Sequence, residues 1–481
     1  MDYQLRSRRT RLEAGGLSFA AMTSTVRIED PSIAYSTERS LGVGGVSAAD
    51  LEAAAPAARA AADAFAALVE SGRAVGLDEP VLWPRLGEGD PGPLEAVRSW
   101  AERVRRADTV VSVGIGGSYL GNRVLRDALL GPGWNERDRE GRGDRPELRF
   151  AGYHLDPAEL AALVDLFASR SARGPQRVEL LAISKSGTTV ETLATTLVLR
   201  EALGQLPGVE VRLAALTAPG TPLAELAAER GEVLPFPEGI GGRWSVLSPV
   251  GLATAAASGV DVDALLDGAR AVRSVLLSAG GELDRNPALR YAVVHRLHAQ
   301  RGRSGAVFMP YAERLRCVSE WYVQLLAESL GKARDRQGRR VHTGRTPIVA
   351  VGTTDMHAQT QQHQEGARDK TVTTLDVLDW GAAEALRVPE LPAAGRLAGR
   401  RVSELNRYAR EANEVALAGD DRPSDSFLLG RLDERTLGGL LYLLMASVAY
   451  EGELLDVCAY DQPGVEAYKR VLRERLGTQP A

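Results

Sequence analysis

TVVSVGIGGSYLG (residues 109–121) and VELLAISKSGTT (residues 178–189) each run from an apolar stretch into a turn of glycines and hydroxyls. Thr109–Gly114 and Val178–Ile183 read as strands buried on both faces, and the residues after each turn read as helices, 119–130 and 188–203. Strands Leu148–Tyr153, Val209–Leu216 and Val233–Phe236 and a helix over 157–170 continue the pattern, which predicts βαβ units and a parallel sheet. Helices dominate 249–302. A second pass follows: strand Ala306–Met309, helix 313–330, strand Pro347–Val351, helix 355–366 and strand Val372–Val377. Helices over 400–417, 433–450 and 463–476 close the chain. The fold class is α/β, with two domains.

Upstream, residues 47–73 are Ala-rich and helix-prone, and Pro56 predicts a break or a new first turn. Residues 78–94 hold four prolines and three glycines and read as a linker. Residues 1–21 carry Arg6, Arg8, Arg9 and Arg11 and read as an extension ahead of a start at Met22. Gly15–Ala21 is too short and too weakly apolar for a signal-peptide core.

At 481 residues the chain has room for two or three domains. With 44% hydrophobic and 25% charged residues it has the mix of a globular protein, which excludes a fibrous or wholly disordered chain. The net charge of −5 supplies no global field for nucleic acid or a membrane surface, so an anionic ligand needs a local cluster. Two cysteines, Cys317 and Cys458, build no disulfide framework and point to a reducing compartment, the cytoplasm. No apolar run approaches the roughly 18 residues of a membrane span.

Ligands of an open parallel sheet sit outside the carboxyl ends of its strands, where helix N-termini point their N–H groups. Gly114–Gly121 lacks the GK[ST] of a nucleotide P-loop and the GxGxxG of a dinucleotide turn. Ser184-Lys185-Ser186-Gly187-Thr188-Thr189 offers four hydroxyls and an ammonium to one small anion, which suits a phosphate monoester. Thr188 with Glu191 also predicts a capping box. Arg243, behind Gly241 and Gly242, is placed to stabilise an oxyanion. Glu328 falls in the last turn of its helix before Gly331, where the macrodipole disfavours charge, a setting for a general base. His357 follows a strand end in a first helical turn, where a neutral imidazole can shuttle protons. His363, six residues on, has the wrong spacing for a helical metal pair. Asp461 is a candidate N-cap for the last helix, which carries Lys469.

Taken in order, these segments resemble the phosphoglucose isomerase (glucose-6-phosphate isomerase) family over about 110–475. Gly114–Gly121 is similar to the GIGGSxLG turn, Ser184–Thr189 to the SKSGTT loop and Gly241–Ser245 to GGR[FYW]S. Glu328–Lys332 is similar to ESxGK, Gly352–His357 to the GT-x-x-x-H strand end, and Asp461–Lys469 to DQ-x-GVE-x-x-K. Leu330 and Pro463 depart from the residues common in animal relatives and look like the shorter bacterial branch; neither removes a chemical group.

The resemblance implies two sugar-isomerase (SIS) domains, each a flavodoxin-like three-layer αβα sandwich, over 95–280 and 281–450. A helical arm and extension over 1–94 and a C-terminal helix over 451–481 complete the chain. It implies reversible isomerisation of D-glucose 6-phosphate and D-fructose 6-phosphate in glycolysis and gluconeogenesis, without metal or cofactor. Ser118, Ser184, Lys185, Ser186, Thr188 and Thr189 would hold the phosphate, and Gly117 and Gly242 would line the sugar. His357, presented across a homodimer interface, and Lys469 would open the ring. Glu328 would move the proton between C2 and C1, and Arg243 would stabilise the cis-enediolate. A related enzyme that also accepts mannose 6-phosphate is the nearest alternative. A SIS-domain regulator would need only the phosphate loop, and Glu328, Arg243, His357 and Lys469 argue against it.

Overall fold

A computed structural model describes residues 24–477 except 89, 91 and 230; the four N-terminal arginines, Gly15–Ala21 and Met22 lie outside the described residues. The described chain opens with β1 (Thr25–Ile28) and β2 (Ile33–Ser36), then α1 (Ala48–Ser71) and α2 (Gly92–Val104). Next come β3 (Thr109–Val113), α3 (Gly117–Leu125), β4 (Glu147–Ala151), α4 (Pro157–Ser171), β5 (Gln176–Ile183) and α5 (Val190–Gly204). β6 (Val209–Thr217), α6 (Pro222–Ala228) and β7 (Glu232–Pro235) lead into α7 (Pro249–Ala257), α8 (Val262–Ala279) and α9 (Pro287–Gln300). The second half holds β8 (Gly305–Pro310), α10 (Arg316–Leu330), the ribbon β9 (Lys332–Arg334) and β10 (Arg340–Thr343), and β11 (Thr346–Val349). It ends with α11 (Thr354–Ala358), α12 (Thr360–Glu365), β12 (Lys370–Asp379), α13 (Val402–Gly419), β13 (Ser424–Arg431), α14 (Glu434–Leu454) and α15 (Glu466–Arg475).

The first sheet is wholly parallel in the order β4-β3-β5-β6-β7. Numbered from β3, that is the 2-1-3-4-5 order of a flavodoxin-like fold, with its switch point between β3 and β5. The apolar runs explain the layering. Leu181, Ile183, Ala214 and Leu216 face Val97 and Trp100 of α2 and Val250 and Ala253 of α7. Their neighbours Leu180, Ala182, Leu213 and Ala215 face Phe167 of α4, Leu199 of α5 and Leu223 of α6. With a side-chain period of two and both faces covered, the strands show little polar alternation. The second sheet runs β1-β2-β13-β12-β8-β11, parallel from β13 to β11. Numbered from β8, its parallel part repeats the order 2-1-3-4. The hairpin β1–β2 adds to β13 antiparallel, so the N-terminal segment supplies two strands besides the expected helical arm.

Several local expectations are corrected. α1 runs unbroken through Pro56, because Pro56 and Glu52, the residue whose carbonyl loses its helical partner, both lie on the exposed face where water replaces the bond. The stretch read as a linker is anchored at Trp83, which is buried and stacks on Trp244 at 4.7 Å. The helix expected over 119–130 ends as a π-helical turn at Arg126–Leu130, and that over 355–366 is split at Gln359. β13 was not predicted; its first three residues, Ser-Asp-Ser, are polar yet buried between β2 and β12.

The second lobe's core also fixes an acid limit. His298 of α9 is fully buried, with Nε2 against the Ser40 carbonyl at 3.1 Å. Burial draws its pKa down to about 4 from 6.5. Between those values the unfolded chain binds a proton the folded chain refuses, so this contribution is whole above pH 6.5 and falls as the pH drops toward 4. The expected loss between pH 7 and pH 5 is about 2 kcal/mol, read from urea midpoints. His298→Gln should flatten that slope; an unchanged slope would assign the loss elsewhere.

Candidate active site

The turn after β3 opens α3 at Gly117, against the 3-10 turn Gly242–Trp244. A Cβ at Gly117 would lie 1.9 Å from the Gly242 carbonyl oxygen, so only glycine permits this approach. The turn after β5 needs glycine too: Gly187 has φ +64°, and a Cβ there would come within 2.5 Å of Thr221.

Around Gly187 the hydroxyls hold one another in place. Buried Ser184 Oγ accepts the Gly187 N–H at 3.2 Å and lies 3.0 Å from Thr189 Oγ1. Ser186 Oγ accepts the Thr188 N–H at 3.3 Å and the Thr188 hydroxyl at 3.1 Å. The expected Thr188–Glu191 capping box is therefore not formed: α5 starts one residue later, with Thr189 at the N-cap, and both threonine hydroxyls are spent inside the loop. A hollow of about 400 Å³ opens at the switch point, lined by Ser118, Ser184, Lys185, Ser186 and Thr189 among others. Lys185 is exposed, 3.8 Å from Glu79. Sequence reading missed two lining threonines, Thr192 and Thr221, the first with a buried hydroxyl lacking a partner. A larger hollow of about 890 Å³, lined by Trp100, Arg103, Glu179, Arg212 and Glu232 among others, holds none of the predicted residues. Arg103 pairs with Glu232 there, Glu179 accepts from the Trp100 indole, and the hollow lies away from the strands' carboxyl ends.

Beside the Gly117 turn, Arg243 is 2% exposed and spends its guanidinium on five acceptors. Nε donates to Ser329 Oγ at 2.8 Å; Nη1 donates to Glu328 Oε2 at 3.2 Å and Gln462 Oε1 at 2.9 Å. Nη2 donates to the carbonyls of Ala459 at 2.7 Å and Asp461 at 2.9 Å. Burial draws Arg243 below the usual guanidinium range, while Glu328 and Asp461 oppose the shift. Glu328, 31% exposed in the last turn of α10, takes a second bond from Gln324 Nε2 at 3.0 Å. Gln324 in turn lies against Gly116, two residues from Ser118 of the hollow. The arrangement sets a half-open carboxylate and a buried cation side by side, linked through Gln324 to the turn that carries Ser118 of the hydroxyl-lined hollow.

Other predicted residues stand apart. His357 is exposed on α11, and no hydrogen bond or ion pair among the described residues ties it to Arg243 or Glu328. Lys469 is half-buried on α15 and pairs with Glu466 at 3.0 Å. Asp461 is not the N-cap of the last helix: a 3-10 turn over Pro463–Val465 intervenes, Val465 holds the N-cap of α15, and the Asp461 carboxylate accepts from Lys332 instead. His363 is buried, as packing would have it. No group of three or more metal-ligating side chains occurs among the described residues. Gln324, Ser329, Lys332 and Gln462 were missed as members of this cluster; the last three fall inside the segments that carry the resemblance, and only Gln324 lies outside them.

Residues 95–377 match the family model described as phosphoglucose isomerase. A glucose-6-phosphate isomerase of Rubrobacter xylanophilus is 39% identical over 448 residues, 90% of this chain and 95% of that one. One of Thermus thermophilus is 36% identical over 401 residues, 82% and 89% of the two chains. A solved glucose-6-phosphate isomerase from Chlamydia trachomatis superposes with a TM-score of 0.76 over 94% of this chain and 90% of that one; at 22% identity it speaks for the fold. A solved hypothetical protein, also from Thermus thermophilus, superposes with a TM-score of 0.73 at 32% identity, over 89% and 96%.

Proposed function

The chain belongs to the phosphoglucose isomerase family, and on that premise we propose that it interconverts D-glucose 6-phosphate and D-fructose 6-phosphate, a step of glycolysis and gluconeogenesis, with Glu328 as the base. The observation that carries the assignment is the pairing of Glu328 with buried Arg243 at 3.2 Å, beside the turn whose Ser118 lines the hydroxyl-rich hollow. Moving a hydrogen between adjacent carbons needs one base able to reach both and a fixed cation for the oxyanion that develops. Glu328 takes the proton from C2 and returns it to C1, and Arg243 holds the cis-enediolate between those steps. The hollow takes the phosphate, whose binding energy positions the distant carbons. Residues 95–280 and 281–450 serve as the two domains.

Turnover of fructose 6-phosphate by the purified chain, read through NADP reduction by a coupled glucose-6-phosphate dehydrogenase with EDTA present, tests this reading. Turnover is expected. A rise in melting temperature with fructose 6-phosphate but no turnover would favour a regulator. Replacing Ser186 and Thr188 together by Ala should raise KM about tenfold or more with kcat within a few-fold, as loss of hydrogen bonds to a charged group predicts. An unchanged KM would remove the phosphate from this loop.

The working unit is a homodimer in which His357 serves ring opening in the neighbouring subunit's site, and Lys469 assists the same step. Two observations support it: His357 is exposed, with no hydrogen bond or ion pair among the described residues to Glu328 or Arg243 of its own chain, and the 378–408 segment exposes Leu386, Leu391, Leu397 and Val402. Co-expressed Glu328→Gln and His357→Gln chains, each inactive alone, should regain turnover through hybrid dimers that keep one intact site. No recovery would place His357 in its own chain's site, and turnover by the His357→Gln chain alone would place it outside catalysis. Both cysteines are free, in keeping with a reducing, cytoplasmic setting, and no described helix is long and apolar enough to cross a membrane.

A further inference from the structure

We propose that Lys332 is a positioning residue for the isomerisation, fastening the corner at Asp461 and Gln462 to the end of the helix that carries Glu328. The inference rests on the reading of Glu328 and Arg243 given above. Lys332 directly follows Gly331, which ends α10, and its side chain is 6% exposed. Its ammonium has three hydrogens and finds three acceptors. Nζ donates to the Glu328 carbonyl at 3.0 Å, to the Asp461 carbonyl at 2.5 Å and to Asp461 Oδ1 at 2.8 Å.

The Asp461 carbonyl also accepts from Arg243 Nη2, so two buried cations grip one backbone oxygen. One residue on, Gln462 Oε1 accepts from Arg243 Nη1, the same nitrogen that faces Glu328. A lysine at this depth is costly: burial draws its ammonium down, and the bonds to Asp461 oppose that shift. An apolar side chain would fill the same space without that cost, so the charge has a task beyond packing. The task is geometric. With Lys332 in place, the corner cannot swing away from α10, and the acceptors that fix the Arg243 plane stay aligned with the Glu328 carboxylate. A shift of about 1 Å in such a pair costs on the order of 10²-fold in rate. Lys332 does not line the phosphate hollow, so the loss falls on kcat rather than KM.

The test measures kcat and KM for fructose 6-phosphate in Lys332→Met, Asp461→Asn and the double variant. Lys332→Met should lower kcat about 30- to 100-fold with KM within about threefold of wild type. Asp461→Asn, a change at a half-exposed side chain that leaves the carbonyl in place, should lower kcat about three- to tenfold with KM unchanged. The double variant should be no slower than Lys332→Met alone, because the Asp461 carboxylate acts through Lys332. Wild-type turnover with both single variants within twofold in kcat would overturn the proposal, as would losses confined to KM. If Lys332→Met fails to fold, Asp461→Asn at wild-type kcat overturns it alone. An inactive wild-type chain would instead overturn the reading of Glu328 on which the proposal rests.

Discussion

Replacing Glu328 by Gln should lower kcat by about 10³-fold or more while the fold and the binding of sugar phosphate persist. The substitution removes the proton acceptor and keeps the shape. Its neighbours can accommodate the amide: Arg243 Nη1 still finds an oxygen, and the new NH₂ needs an acceptor where Gln324 Nε2 now donates. Gln324 has one in reserve, since its Oε1 is buried without a partner and a flip of the amide presents it. The melting temperature should therefore stay within a few degrees of wild type, and fructose 6-phosphate should still bind in a titration. Turnover within a few-fold of wild type would mean that another group moves the proton.

Replacing Gly117 by Ala should cost about 10² in kcat together with several degrees of melting temperature. The added methyl would lie 1.9 Å from the Gly242 carbonyl oxygen and 2.8 Å from the Arg243 nitrogen. Both neighbours are backbone, so no side chain can yield, and the turn must part from the 3-10 segment that carries Arg243. Overpacking of this kind costs about 1–3 kcal/mol, and the displaced guanidinium no longer faces Glu328 as before. Trp244, stacked on Trp83, resists the shift from the far side and adds to the strain. Gly133→Ala is the control, because a Cβ there meets nothing within 4 Å. Wild-type kcat in Gly117→Ala would show that Arg243 can move without consequence.

The parts of the fold legible in the sequence are those whose signal is local. VELLAI reads as a strand buried on two faces, and the helices of opposite layers do cover its alternate residues. The turn of Ser184–Thr189 announces itself through composition, as does the Gly114–Gly121 turn. What stayed hidden depends on distant partners. TVRI and IAYS are four residues each and become strands by adding to β13, nearly 400 residues away. β13 itself begins with polar residues whose burial comes from its neighbours. Pro56 looked like a break because its exposure could not be read from local pattern. Within the site, Arg243 meets Glu328 across 85 residues and Gln462 across 219, so Gln324 gave no sign in its own segment, and Gln462 and Lys332, though inside the segments that carry the resemblance, gave no sign of their partners. Asp461 had the residue type of an N-cap, but the buried ammonium of Lys332 is the stronger partner for its carboxylate.

The most direct test of a single carboxylate working on two carbons is isomerisation of fructose 6-phosphate in deuterium oxide, followed by proton NMR. A proton resting on Glu328 between C1 and C2 has time to exchange with solvent. Part of the glucose 6-phosphate formed should therefore carry deuterium at C2, and Glu328→Gln should form neither product nor label. Product that carries only ordinary hydrogen at C2 through extended turnover would mean that a hydride passes directly between the carbons, which would contradict the account.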